Sequence, residues 1–246
     1  MALFRTFFLC CLIILGSAIF GIPQLFLFED YYELGHVYAV DNSNAQSAFS
    51  QNLDLYETVV NSLQGITSND FVAIFDGETL NDWQMSGEGD FTVDENDNSL
   101  QTQGGPGSLW FTAKKYNDFI LKLDWKVSQK DDNSGVFVRF PYPDEERRVE
   151  AREGYEIQID DNADNASQQT GAIYDIAASS QVVSTPAGMW NTMTIRVIDQ
   201  FYTVFINGHK VIDFVGNRST EGYIGIQAHD DQSHVVFRNI MIKDIK

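Results

Sequence analysis

Phe201-Tyr202-Thr203-Val204-Phe205-Ile206-Asn207-Gly208-His209-Lys210-Val211-Ile212-Asp213-Phe214 is the stretch whose reading decides the fold. Two runs of β-branched and aromatic residues flank Asn207 and Gly208. That dipeptide best tolerates the positive φ angles of a two-residue type I′ turn. The spacing therefore predicts a hairpin with strands over 201–206 and 209–214. Working outward, short runs rich in Val, Ile, Phe, Tyr and Trp recur from Phe71 to the C-terminus between clusters of Gly, Asn and Asp. Helical periodicity is nowhere sustained there, which is the pattern of an all-β sandwich or barrel.

Period-two alternation sorts five of these runs into an apolar and a mixed face. Phe119, Leu121, Leu123, Trp125 and Val127 oppose Lys122, Asp124 and Lys126. Val136, Val138 and Phe140 oppose Phe137 and Arg139, and Tyr155, Ile157 and Ile159 oppose Glu156, Gln158 and Asp160. Met193, Ile195 and Val197 oppose Trp190, Thr192 and Arg196, and Ile224, Ile226 and Ala228 oppose Tyr223, Gln227 and His229. The apolar faces are expected to pack on a second sheet as the core. The mixed faces are expected to line one exposed sheet, whose carboxylates, amides, guanidinium, imidazole and aromatic rings suit a sugar, with hydrogen bonds for hydroxyls and a flat ring for its C–H face.

Before Phe71 the chain reads differently. Residues Phe7 to Phe28 are almost wholly apolar behind Arg5, and Glu29 and Asp30 end the run. This segment (1–28) fits a membrane anchor and a signal peptide cut after Ala18 alike. With Arg5 inside, the sandwich is expected outside the cytoplasm, secreted or membrane-anchored. Residues 29–70 read as a linker in which Phe49, Leu53, Tyr56, Val60 and Leu63 mark one amphipathic helix, and 71–246 as the sandwich domain. Both cysteines, Cys10 and Cys11, lie in the apolar leader, so the domain is expected to be held by its core. Sixteen basic against 35 acidic residues give a net charge of -19, which repels phosphate backbones and excludes nucleic acid as a natural partner.

Taken in order, these segments resemble the 3-keto-disaccharide hydrolase domain family, which has the concanavalin A-like lectin and glucanase jelly roll. The resemblance is carried by Phe75, Asp76, Gly77, Thr79, Leu80 and Trp83; by Asn133, Ser134, Gly135, Val136 and Arg139; and by Gly154, Tyr155, Glu156, Gln158, Ile159 and Asp160. It continues through Thr170, Gly171, Ala172, Ile173 and Tyr174, then Trp190 and Asn191, and closes with Gly222, Tyr223, Ile224, Gly225, Gln227, His229, Phe237, Arg238, Asn239 and Ile240. Asp230, Asp231 and Gln232 depart from it, since a glycine often follows there.

The resemblance implies a two-sheet antiparallel jelly roll acting on a 3-keto-glycoside or disaccharide. A ketone at C3 acidifies the C2 proton, so the C1 substituent can leave by elimination and water can then add, with one base and one oxyanion stabiliser sufficing. His229 or Glu156 is expected as the base and Arg139 as the stabiliser of enolate charge, with a divalent metal as the alternative stabiliser. Asp124, Gln158, Tyr174, Trp190 and Gln227 are expected to bind substrate. Ordinary two-carboxylate hydrolysis is disfavoured because Glu156 has no evident acidic partner on its own strand: Asp160 lies four residues along, roughly 13 Å away, which leaves Asp124 on a neighbouring strand as the alternative partner. The competing expectation is a lectin-like domain that holds a carbohydrate without turning it over. Asp160, Asn162 and Asp164 alternate as calcium ligands do, but they lack the glycine and distal glutamate of a calcium loop, and a turn is the expected reading.

Overall fold

The computed structural model describes residues 70–143 and 149–245. The apolar leader and the amphipathic linker helix lie outside the described residues. No described helix is long and apolar enough to cross a membrane.

Among the described residues thirteen strands form two antiparallel sheets. The larger sheet has the order β11(His209–Val215)-β10(Phe201–Ile206)-β9(Asn191–Ile198)-β6(Asp118–Val127)-β13(Val235–Ile245)-β4(Ser99–Gln103)-β3(Asp90–Asp94), with β1(Val72–Ala73) also pairing β13. The smaller sheet has the order β2(Trp83–Gly87)-β5(Gly107–Tyr116)-β12(Gly222–Ala228)-β7(Ser134–Phe140)-β8(Tyr155–Ile159). A five-residue helix, α1(Val149–Glu153), lies between β7 and β8 in sequence. The β10–β11 hairpin closes at Asn207 (φ 52°) and Gly208 (φ 80°), the left-handed pair that the dipeptide predicts.

The core lies between the sheets. Leu121, Leu123, Trp125, Ile195, Val197 and Phe237 from the larger sheet meet Leu109, Val136, Val138, Ile157, Ile224 and Ile226 from the smaller one, all nearly inaccessible to water. Each such side chain contributes about 1.5–3 kcal/mol of burial. With no cysteine in the domain, this packing and the two hydrogen-bonded ladders hold the fold. The Phe75–Trp83 segment clasps the rim: Trp83 Nε1 donates to the Ile74 carbonyl at 2.7 Å, and its ring meets Phe111 edge-on.

Two expectations fail here, each for a definite reason. First, the five mixed faces do not share one sheet. β6 and β9 belong to the larger sheet and β7, β8 and β12 to the smaller, so their polar sides face away from each other on opposite surfaces of the sandwich. Second, alternation breaks inside β7. Tyr223 pairs with Phe140 and Ile224 with Val138, leaving Arg139 as the extra residue of a β-bulge with φ 55°. A one-residue insertion exchanges the faces of everything beyond it. Phe140 therefore turns outward into a small aromatic cluster with Trp110 and Phe137, while Arg139 turns inward and is fully buried. The close approach fits only glycine opposite the bulge: a Cβ on Gly222 would stand 2.2 Å from the Arg139 carbonyl carbon.

Candidate active site

The outer face of the smaller sheet holds the polar groove. Ile226, Val136, Leu109 and Ile157 point into the core, so their strand neighbours point out. Gln227 stands opposite Ser108 on β5, and Gly135 stands opposite Gln158 on β8. Since Ile226 pairs with Val136, Gln227 falls beside Gly135. One row thus crosses the sheet as Ser108, Gln227, Gly135 and Gln158. The neighbouring row runs Trp110, Gly225, Phe137 and Glu156.

The bare Cα of Gly135 makes the seat for Glu156. A Cβ there would lie 2.4 Å from Glu156 Oε1 and 2.9 Å from its Cγ, so the carboxyl lies across the glycine into the first row. Glu156 is buried, as is Gln158 beside it. Gln158 Nε2 donates to Asn133 Oδ1 at 3.2 Å, and Asn133 Nδ2 donates to Asp160 Oδ2 at 3.2 Å. Gln158 Oε1 and Gln227 Oε1 are shielded from solvent and have no hydrogen-bond donor among the described residues. A buried acceptor left in this state costs about 1–3 kcal/mol, and a hydroxyl-bearing ligand relieves it.

His229 stands two residues beyond Gln227, at the end of β12, and accounts for the far wall. Its Nδ1 lies 2.7 Å from Asp230 Oδ2, and Asp230 Oδ1 accepts the backbone N–H groups of Gln232 and Ser233 at 2.8 Å each. Burial works to raise the Asp230 pKa, but the His229 bond and these N–H groups outweigh it and hold the carboxyl at about 2. The acid insertion after His229, where the resemblance departs from its pattern, thus supplies the imidazole with an anionic partner. Asp160 moves the other way: burial raises its pKa, against the N–H groups of Asn162 and Ala163 and the nearby His229. Its Oδ1 accepts the Asn162 N–H at 2.8 Å and closes a turn. Among the described residues no three His, Cys, Asp or Glu side chains converge as metal ligands.

The predicted residues therefore divide. Glu156, Gln158, Gln227 and His229 share the groove, and the Tyr174 backbone N–H donates to the Glu156 carbonyl at 2.9 Å, placing that residue beside β8. Arg139 does not reach Glu156. Its guanidinium donates to Asn117 O at 2.6 and 3.0 Å, to Asp199 O, to the Tyr202 hydroxyl at 3.3 Å and to Asp118 Oδ1 at 3.1 Å, all on the opposite sheet or its turns. Asp124 and Trp190 lie on the outer face of the larger sheet. Asp124 accepts from Thr192 Oγ1 and Asn239 Nδ2 at 2.7 Å each, and the Trp190 ring carries the Arg238 guanidinium at 3.9 Å and Lys126 Nζ at 4.6 Å. Its π surface is occupied by cations, not offered as a sugar platform.

Sequence reasoning missed Glu150. It sits on α1, is 6% exposed, and accepts from Ser108 Oγ at 2.5 Å, which brings a second carboxyl over the first row of the groove. Nothing in the charged stretch from Asp144 to Glu153 distinguishes it, because a five-residue helix is too short to display a periodicity.

A jelly-roll sandwich with a groove of carboxyl, amide and imidazole groups on one sheet defines a carbohydrate-active domain of the glycosyl hydrolase type. The chain belongs to the 3-keto-alpha-glucoside-1,2-lyase-like domain family, whose sequence pattern matches residues 70–243. It is 24% identical to a 3-keto-disaccharide hydrolase of Bacteroides thetaiotaomicron, over 82% of this chain and 88% of that one. Among solved structures it resembles a candidate glycosyl hydrolase of Parabacteroides distasonis (TM-score 0.63, 23% identity, 74% of this chain and 98% of the other). It also resembles a Bacillus subtilis protein of unknown function with a galectin-like fold (TM-score 0.52, 14% identity, 71% and 94%).

Proposed function

We propose that this domain cleaves 3-keto-glycosides or 3-keto-disaccharides by elimination across C1 and C2 followed by hydration, on the outer face of the smaller sheet. The observation that carries this reading is the Glu156 carboxyl seated across the bare Cα of Gly135, with the amide side chains of Gln158 and Gln227 on either side. They take sugar hydroxyls as donors and hold the ring over the carboxylate. Glu156 removes the C2 proton that the C3 ketone has acidified. His229, oriented by the bond between its Nδ1 and Asp230 Oδ2, donates to the C3 oxygen as charge develops there. This assigns to His229 the stabilisation of the C3 oxygen that Arg139, tied to the other sheet, does not fill.

The C1–O bond then breaks with its electrons on the departing oxygen, giving an aglycone alcohol and a 1,2-unsaturated 3-ketone. Water adds at C1 while C2 regains a proton, so the net change is hydrolysis. The apolar run at Phe7–Phe28 supports a setting beyond the cytoplasmic membrane, where glycosides arrive from outside.

The test is incubation of the purified chain with a 3-keto-glucoside, with and without added manganese, following aglycone release by chromatography and the enone by absorbance. Release that is lost in Glu156→Gln and His229→Ala is expected. No release under either condition overturns the reading, and binding without release assigns the groove to a lectin.

A further inference from the structure

Elimination needs a proton for the departing oxygen as well as a base for C2, and the groove holds a carboxyl group placed for that task. Ser108 and Gly135 occupy the same row on β5 and β7, with Gln227 of β12 between them. Glu150 lies over Ser108, and Glu156 lies over Gly135. The two carboxyl groups thus stand on either side of Gln227, above positions two strand spacings or roughly 10 Å apart.

The Glu150 side chain is bonded to a neutral hydroxyl, Ser108 Oγ, and has no cationic partner among the described residues. Its helix is fixed from outside. The Arg218 guanidinium donates to the Ala151 carbonyl at 2.7 Å and to the Gly154 carbonyl, and it stacks 4.7 Å above the Tyr155 ring. Glu150 is therefore presented by a pinned element, as a proton donor must be if its oxygen is to stay aligned with a leaving group.

We propose that Glu150 is the general acid that protonates the glycosidic oxygen as the C1–O bond breaks, a role that rests on the elimination chemistry above. Glu156 takes the C2 proton, and the C2–H electron pair becomes the C1–C2 double bond. The C1–O pair leaves on oxygen, which takes the Glu150 proton, and Glu150 is reprotonated from solvent before the next turnover. No redox partner is required.

The experiment compares Glu150→Gln with the parent chain on two 3-keto-glucosides, one releasing methanol and one releasing 4-nitrophenol. A poor leaving group needs the acid, and a good one departs without it. Glu150→Gln is expected to lose on the order of 100-fold or more in kcat on the methyl glycoside but less than about 10-fold on the nitrophenyl one. Ser108→Ala, which removes the partner but keeps the carboxyl, is expected to shift the ratio of the two rates in the same direction by a smaller factor, and it serves if Glu150→Gln does not fold. Equal loss on both substrates, or loss on neither, overturns the role of Glu150 while leaving the reaction in place. A parent chain inactive on both overturns the elimination reading itself.

Discussion

Replacing Arg139 by Met separates a structural arginine from a catalytic one. Arg139 is fully buried, and its guanidinium satisfies the carbonyls of Asn117 and Asp199, the Tyr202 hydroxyl and the Asp118 carboxylate. Methionine fills a similar apolar length but donates nothing. Asn117 and Asp199 sit on exposed turns, so water reaches their carbonyls in part and the lower end of the orphan range applies, about 1 kcal/mol for each carbonyl and for the Tyr202 hydroxyl. Asp118 is 34% exposed and adds less than that. The sum is about 3 kcal/mol, a large share of a typical total of about 5–15 kcal/mol. With a urea dependence of about 2 kcal/mol per molar, the midpoint falls by about 1.5 M. Urea unfolding followed by fluorescence reads it, since Trp125 is core and Trp83 is rim. The molecules that remain folded should keep the turnover number of the parent. An unchanged midpoint with turnover abolished would refute this placement and return Arg139 to the chemistry.

Gly135→Ala drives a Cβ to 2.4 Å from Glu156 Oε1, so the carboxyl must move, and kcat should fall about 100-fold, a loss out of proportion to any change in melting temperature. Gln227→Leu removes an orphan acceptor; calorimetry should show a domain more stable by about 1 kcal/mol, and titration with a 3-keto-glucoside should show weaker binding. Asp230 titrates near 3.8 unfolded and about 2 folded, so it adds stability above the unfolded value that is lost as pH falls toward 2. The full shift is worth about 2.5 kcal/mol, cut by screening to about 1 kcal/mol for a side chain 46% exposed; in Asp230→Asn that part of the acid dependence of unfolding should disappear. Trp190→Ala should leave sugar binding at the parent level by the same titration, because the ring lies on the opposite sheet under Arg238.

Much of the fold was legible because each strand carries its own alternation. The faces of β6, β8, β9 and β12 follow directly from period two, and the β10–β11 turn follows from Asn207-Gly208. Two kinds of information were not local. Which sheet a strand joins depends on pairing between distant segments, so Asp124 and Trp190 could not be told from Glu156 and Gln158 by their own neighbours. The bulge at Arg139 is imposed by β12, where Gly222 allows the close approach, and within β7 the run Val136-Phe137-Val138-Arg139-Phe140 reads as unbroken alternation. Glu150 was hidden for a third reason: it enters the groove from a helix too short to show a pattern.

The central claim is that sugar sits on the smaller sheet over Gly135, between Gln158 and Gln227. A crystal soaked with a 3-keto-glucoside and the inactive Glu156→Gln chain tests it most directly. The account predicts density for the ring across β12, β7 and β8, with hydroxyls on Gln158 Oε1 and Gln227 Oε1 and the C3 oxygen toward His229. A sugar lying instead on the larger sheet, beside Trp190 and Asp124, would contradict it.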